Sequence, residues 1–228
     1  MILLAIDTAA SLCAASIHDS EAGAELGREV LDIGKGHAER LIGVIESALK
    51  QAGLAYAYLD RIGVSIGPGS FTGVRVGVAT ARGLALALSI PAIGVNTLEA
   101  LAAEAHAGFQ GRPVLATIDG RRGDLYCAVY APDGSALSKP AAISTADAVS
   151  LARRHGVALT GNGADAILAA ADGDALFDTR LRGATADIGF YARLAAAREA
   201  TGEKPKPLYL RGADAKPQSG FALARTGS

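Results

Sequence analysis

Two stretches of the chain open in the same way. Ile2 to Ile6 is an unbroken apolar run that ends on Asp7, and after Thr8-Ala9-Ala10-Ser11 a second run, Leu12 to His18, leads into Asp19-Ser20. Short apolar runs bounded by turn residues read as strands, so this is strand, turn, strand. Val114 to Ile118 repeats the pattern, ends on Asp119-Gly120, and is answered by the strand Asp124 to Tyr130, closed by Pro132-Asp133-Gly134. A chain built as two related halves predicts such a repeat.

Between the two hairpins the period becomes helical. Ala38, Leu41, Ile42, Ile45 and Leu49 recur on one face of His37 to Leu49, and Gly53 stops the run. Arg61 to Ile66 is a strand, Gly67-Pro68-Gly69 a turn, and Ser70 or Thr72 caps a long helix to about Leu88, which Pro91 prevents from continuing. Thr97 to His106 is a third helix. Further on, Ser144 or Thr145 caps a helix to His155, Val157 to Thr160 is a strand before Gly161-Asn162-Gly163, and Asp187 to Ala200 is the last long helix. From Gly202 the tail is rich in Pro, Lys and Gly, and it is expected to fray after Arg211. Strands alternating with helices make the class α/β, in two lobes, 1–108 and a smaller 109–228.

Half of the residues are apolar, but only 5% are aromatic and none is Trp, which points to closely packed small-residue helices rather than an aromatic binding platform. Lys and Arg number 22 against 23 for Asp and Glu, with no cationic cluster longer than a pair, so a protein that grips nucleic-acid phosphates alone is disfavoured. Cys13 and Cys127 stand far apart and read as reduced, buried thiols. Met1 to Asp7 has no basic start and meets a charge too early for a signal peptide, and the apolar stretch Leu84 to Val95 is broken by Ser89 and Pro91. A cytoplasmic protein without a membrane span is expected.

The most distinctive segment is Gly67-Pro68-Gly69-Ser70-Phe71-Thr72-Gly73. Its backbone N–H groups and helix dipole could hold an anion, but it is neither a Walker A loop nor a dinucleotide fingerprint nor a nucleophile elbow. The competing reading is a tight turn in which glycine permits close backbone approach. The His residues at 18, 37, 106 and 155 lack the spacing of a helix-face zinc site, and His37 reads as a helix-entry residue. Asp7 and Asp119 end equivalent strands, where a nucleotide fold would use them for Mg²⁺-bound water; each also fits an Asx-type cap of its own turn.

The helix from Ser70 to Leu88 carries only Arg75 and Arg82 as charges and is apolar nearly all round, so it must be covered on more than one side. Leu41, Val44 and Ala48 give His37 to Leu49 a second apolar edge, and Glu39 and Glu46 repeat the seven-residue spacing of the two arginines with opposite sign. Two such helices are candidates for a helix-on-helix interface, unless the second lobe covers them.

Ile6-Asp7-Thr8, Gly36-His37-Ala38-Glu39-Arg40-Leu41, Gly67 to Arg75, Ile90 to Val95, Thr97 to Leu101, Asp119 to Gly123 with Tyr126, and Pro207 to Arg211 together resemble the TsaB (YeaZ) family. The resemblance spans nearly the whole chain. It implies a two-lobed actin-like, hexokinase-like (ASKHA) fold of duplicated RNase-H-like halves. It also implies a subunit without catalytic residues, metal or cofactor that forms homodimers alone and pairs with the catalytic homologue TsaD through its first two helices. The interface so implied uses His37, Arg40, Leu41, Val44, Ala48, Phe71, Val74, Arg75, Val78 and Arg82. The resemblance further implies that, with the ATPase TsaE, the pair transfers threonylcarbamoyl to adenosine 37 of tRNAs reading codons that begin with A, this chain meeting tRNA only indirectly. In TsaD a helix supplies two metal-binding His four residues apart; Thr97 and Leu101 stand at the matching places here, and neither can replace an imidazole. Asp7, Asp119, Gly161 and Gly163 are left as weak nucleotide-binding candidates, and an ATP-dependent transferase or kinase acting through Asp7 and Asp119 is the alternative.

Overall fold

The computed structural model describes residues 1–109, 111–121, 123–171, 178–179 and 181–211. β1 (Ile2–Asp7), β2 (Leu12–Asp19), β3 (Ala24–Asp32), β4 (Arg61–Ser65) and β5 (Ala92–Val95) form a five-stranded sheet in the order β3-β2-β1-β4-β5. β6 (Val114–Asp119), β7 (Asp124–Tyr130), β8 (Ala141–Ser144) and β9 (Ala158–Thr160) form a second, in the order β8-β7-β6-β9. In both, the first strand pairs antiparallel with the second and parallel with the fourth. Where the first sheet has β5, the second has a single parallel bridge between Leu159 and Thr179. The two halves are thus one topology used twice, as the repeated openings lead one to expect.

The helices are α1 (His37–Ala52), α2 (Phe71–Leu88), α3 (Thr97–His106), α4 (Thr145–His155), α5 (Ala164–Ala170) and α6 (Ile188–Ala197). Strand alternation sorts the side chains into layers. From β1, Leu4 and Ile6 join α1 and α2 in an outer core, while Leu3 and Ala5 face inward. From β6, Val114, Ala116 and Ile118 face inward too, and Leu115 joins α4 and α5 in the other outer core. α3 and α6 fill the space between the sheets, so the order is helices, sheet, helices, sheet, helices.

The boundary at residue 108 separates the sheets but not the cores. α3, from the first half, packs on β6, β7 and β9, and α6, from the second, packs on β1, β2, β4 and β5. Each sheet has a second apolar face, and the chain covers it with a helix borrowed from the other half. α6 is pinned at both ends. Asp187 caps its first turn through Gly189 N–H at 2.9 Å and pairs with Arg28 of β3, while Arg61 of β4 donates to the carbonyls of Ala195, Ala196 and Arg198. The helix ends at Ala197, short of the expected Ala200.

Two glycines show why the turns after β4 and β9 need them. A Cβ on Gly69 would lie 2.3 Å from the Ala9 carbonyl oxygen, and one on Gly161, whose φ is 93°, would lie 2.0 Å from that of Thr117. The tail up to Arg211 is docked rather than loose, with Leu208 N–H donating to the Ile66 carbonyl at 2.7 Å. The expected fraying beyond Arg211 lies outside the described residues. α2 is long and apolar enough to cross a bilayer by length and composition, yet Gly73, Val74, Gly77, Val78 and Ala81 pack on the chain's own sheet.

Candidate functional site

Strand ends, helix starts and one hairpin turn converge on a cleft of about 840 Å³ between the lobes. Its first wall is Ala9 to Ser11, the entry to α1 at Gly34 to Glu39, and the entry to α2 at Gly69 to Gly73; its second is Ile118 to Arg121, Tyr126, Asn162 and Ala184. α2 begins with Ser70 accepting from Gly73 N–H, whereas α1 begins at Gly36, with φ 85°, and no side chain caps it.

The two aspartates that end β1 and β6 meet different fates. Asp7 is 1% exposed and does not line the cleft. One carboxylate oxygen accepts from Ala9 N–H at 2.9 Å and the other from the Thr185 hydroxyl at 2.5 Å. Thr185 has only one proton to give, so Tyr191, 2.7 Å away, must donate to it in turn. Burial pushes the Asp7 carboxyl above its ordinary range, opposed by hydrogen bonds from Ser65, Thr185 and Ala9 N–H. Asp119 lines the cleft in the open, but its Oδ1 caps the turn by accepting from Arg121 N–H at 2.8 Å, and its own N–H donates to Asn162 at 2.9 Å. Asp7 and Asp119 therefore do not form a pair facing one ligand. A Cβ on Gly163 would lie 2.5 Å from the Thr117 hydroxyl, so Gly161 and Gly163 serve close packing of this turn on β6.

The helix pair requires a correction. His37, Leu41, Val44 and Ala48 on α1, and Val74 and Val78 on α2, are all buried within the first lobe, so six of the ten expected contacts offer almost no surface to a partner. His37 fixes the start of α1 to β2, its Nε2 donating to the Leu12 carbonyl at 3.1 Å. The covering comes from the chain's own N-terminal sheet, not from the second lobe. A carboxylate placed at Val74 or Val78 would be buried in that core and would unfold the chain rather than report on an interface.

Arg40, Phe71, Arg75 and Arg82 are exposed as expected. With them on the outer face lie Ile42, Gly43 and Glu46 of α1 and Ala79, Gly83, Leu86 and Ala87 of α2, with Leu86 77% exposed. The expected set omits these residues. Phe71, Arg75, Ala79, Arg82 and Leu86 follow one another at helical spacing, so the two arginines themselves mark the stripe. Cβ atoms built on Gly43 or Gly83 meet nothing within 4 Å. At the head of the stripe Arg75 lies 3.7 Å over the Phe71 ring and donates to the Tyr209 hydroxyl at 2.7 Å.

Among the described residues, no three His, Cys, Asp or Glu side chains come together as a metal site. Thr97 and Leu101 are both fully buried.

The model of the family described as TsaD, tRNA N6-adenosine threonylcarbamoyltransferase, matches residues 32–201, most of the chain. The chain belongs to the TsaD family, in its TsaB (YeaZ) branch. The tRNA threonylcarbamoyladenosine biosynthesis protein TsaB of Escherichia coli is 37% identical over 134 residues, 58% of this chain and 56% of that protein. The match therefore spans little more than half the length of that relative. The solved structure of YeaZ from Pseudomonas aeruginosa superposes with a TM-score of 0.73 at 26% identity, over 92% of this TsaB-family chain and 99% of that one. The ROK hexokinase of Thermus thermophilus aligns with a TM-score of 0.53 at 18% identity, over 86% of this chain and 98% of its own, which shows the fold alone. The architecture is the actin-like, hexokinase-like fold.

Proposed function

We propose that this chain is a non-catalytic subunit of tRNA threonylcarbamoyladenosine biosynthesis that works by docking the transferase TsaD through the outer face of α1 and α2. The observation that carries the reading is the stripe on that face. A glycine inside a helix costs about 1 kcal/mol relative to alanine, and Gly43 and Gly83 have no neighbour in this chain to justify it. A helix from another polypeptide, approaching closely, supplies the reason. Leu86, Ile42 and Ala79 give that approach an apolar centre, and Arg75, Arg82, Glu39 and Glu46 give it a charged rim.

The same surface serves a homodimer when TsaD is missing, with the glutamates of one copy facing the arginines of the other. TsaE joins the pair, threonylcarbamoyl passes to adenosine 37 of tRNA on TsaD, and the work is cytoplasmic. Buried Thr97 and Leu101 at the places of the metal-binding His, and an Asp7 already engaged by Thr185, weigh against an ATP-dependent transferase acting through Asp7 and Asp119.

The test is reconstitution with TsaD, TsaE, tRNA, ATP and threonylcarbamoyl-adenylate, each omitted in turn. Modification should require this chain, and this chain alone should give none. Leu86→Glu should fold normally and lose both TsaD and self-association in size-exclusion chromatography; undiminished complexes would overturn the assignment of this face.

A further inference from the structure

The segment from Leu208 to Arg211 touches three separate places in the fold. Leu208 N–H is fixed to the Ile66 carbonyl at the end of β4. Tyr209 accepts from Arg75 at 2.7 Å and lies 5.6 Å from the Phe71 ring, at the head of the α2 stripe. Arg211 crosses to the second lobe, where it donates at 2.9 Å to the carbonyls of both Gly120 and Arg121 and at 2.5 Å to the Asp124 carboxylate. Gly120 and Arg121 belong to the turn between β6 and β7 and line the cleft, and Asp124 opens β7.

The tether between the two contacts is short. Two residues of extended chain reach about 7 Å at most, so a partner that carries the Tyr209 backbone away from α2 draws on Arg211 as well. At the other end, Arg121 sits at φ 60°, a left-handed conformation uncommon for a residue with a side chain. Its N–H is held by Asp119 and its carbonyl by Arg211, so the turn keeps this shape through bonds, one of which comes from the tail.

We propose that Leu208–Arg211 is a clasp that couples the head of the α2 stripe to the far wall of the cleft: displacing Tyr209 from Phe71 and Arg75 frees Arg211 and lets the β6–β7 turn relax. A polypeptide seated on the stripe, competing with Tyr209 for Arg75, would thereby reshape the far wall of a cleft whose near wall it meets at Phe71. That consequence rests on the docking reading above, whereas the clasp itself does not.

The experiment is hydrogen exchange followed by mass spectrometry on the full chain alone, comparing the segment 120–126 with β1 as an internal reference. Tyr209→Ala, although Tyr209 bonds to none of the turn's described residues, should speed exchange in 120–126 about 5- to 10-fold, the scale of one lost hydrogen bond, with β1 unchanged. Arg211→Ala should do at least as much, and the double variant no more than Arg211→Ala alone. Tyr209→Phe, which keeps the ring but not the hydroxyl, should give a smaller acceleration and serves if Tyr209→Ala loosens β1 as well. Unchanged exchange in 120–126 for both Tyr209 variants, or for Arg211→Ala, overturns the clasp. Because no partner is present, that failure leaves the docking face untouched, and a Leu86→Glu chain that still binds TsaD leaves the clasp untouched.

Discussion

Arg28 of β3 grips both carboxylate oxygens of Asp187 at the head of α6, at 2.5 and 2.9 Å. The pair joins residues far apart in sequence, and it places the charged end of a helix from one half on the sheet of the other. Half-exposed ion pairs alone contribute little, but this carboxylate is also the helix cap.

Asp187→Ala should therefore destabilise the chain by about 1–2 kcal/mol, chiefly through the lost cap, as read in urea unfolding. Burial disfavours the Asp187 charge, yet Arg28 and Gly189 N–H outweigh it and hold the carboxyl below its ordinary range. A carboxyl depressed in the folded state contributes fully above its unfolded pKa of about 3.9, and the contribution fades as pH falls through the lower folded value. The native chain should lose stability below about pH 4, and Asp187→Asn should lose less over the same interval.

Asp7 separates a structural aspartate from a catalytic one. Asp7→Ala leaves Ala9 N–H and the Thr185 hydroxyl without their buried acceptor and should destabilise by about 1–3 kcal/mol. Asp7→Asn keeps an oxygen for Ala9 and removes a charge that burial already disfavours, so melting temperature and tRNA modification in the reconstituted system should both stay near native. Normal melting with modification abolished in Asp7→Asn would sink the structural role.

Gly83 sets fold stability against association. Gly83→Ala adds a methyl that meets nothing in this chain, so the helix should gain about 0.5–1 kcal/mol in thermal unfolding. On the proposed docking, the same methyl stands in the path of TsaD's helix, so binding of TsaD, followed by calorimetry, should weaken. A variant that melts higher and binds unchanged would show that nothing approaches there.

Local pattern made much of this fold legible. Short apolar runs bounded by turn residues, Ile2 to Ile6 and Val114 to Ile118, mark β1 and β6, and the caps at Ser70 and Ser144 mark α2 and α4. β3 is harder to see, because an edge strand half in water carries Glu25, Arg28, Glu29 and Asp32 instead of an apolar run. α5 is only seven residues long, too short for a period to show. The surplus apolar surface of α2 is plain in the sequence, but which side turns inward is decided by Thr8, whose carbonyl and hydroxyl crowd Gly73 and Gly77 and so bring that face to β1. Two turns that border the cleft, at Gly69 to Gly73 and Asp119 to Arg121, stood out in the sequence, though not the cleft between them. Thr185 and Tyr191 did not, since the relay from Tyr191 through Thr185 to Asp7 depends on α6 crossing to the first sheet.

That crossing bears on how the molecule is made. During synthesis the first five strands emerge long before Ile188, so the inward side of β1, with Leu3 and Ala5, stays bare until almost the entire polypeptide has left the ribosome. Neither half is a finished unit on release. A chain truncated before α6 would carry a greasy wound on a completed sheet, and should be a client for chaperones rather than a smaller working protein.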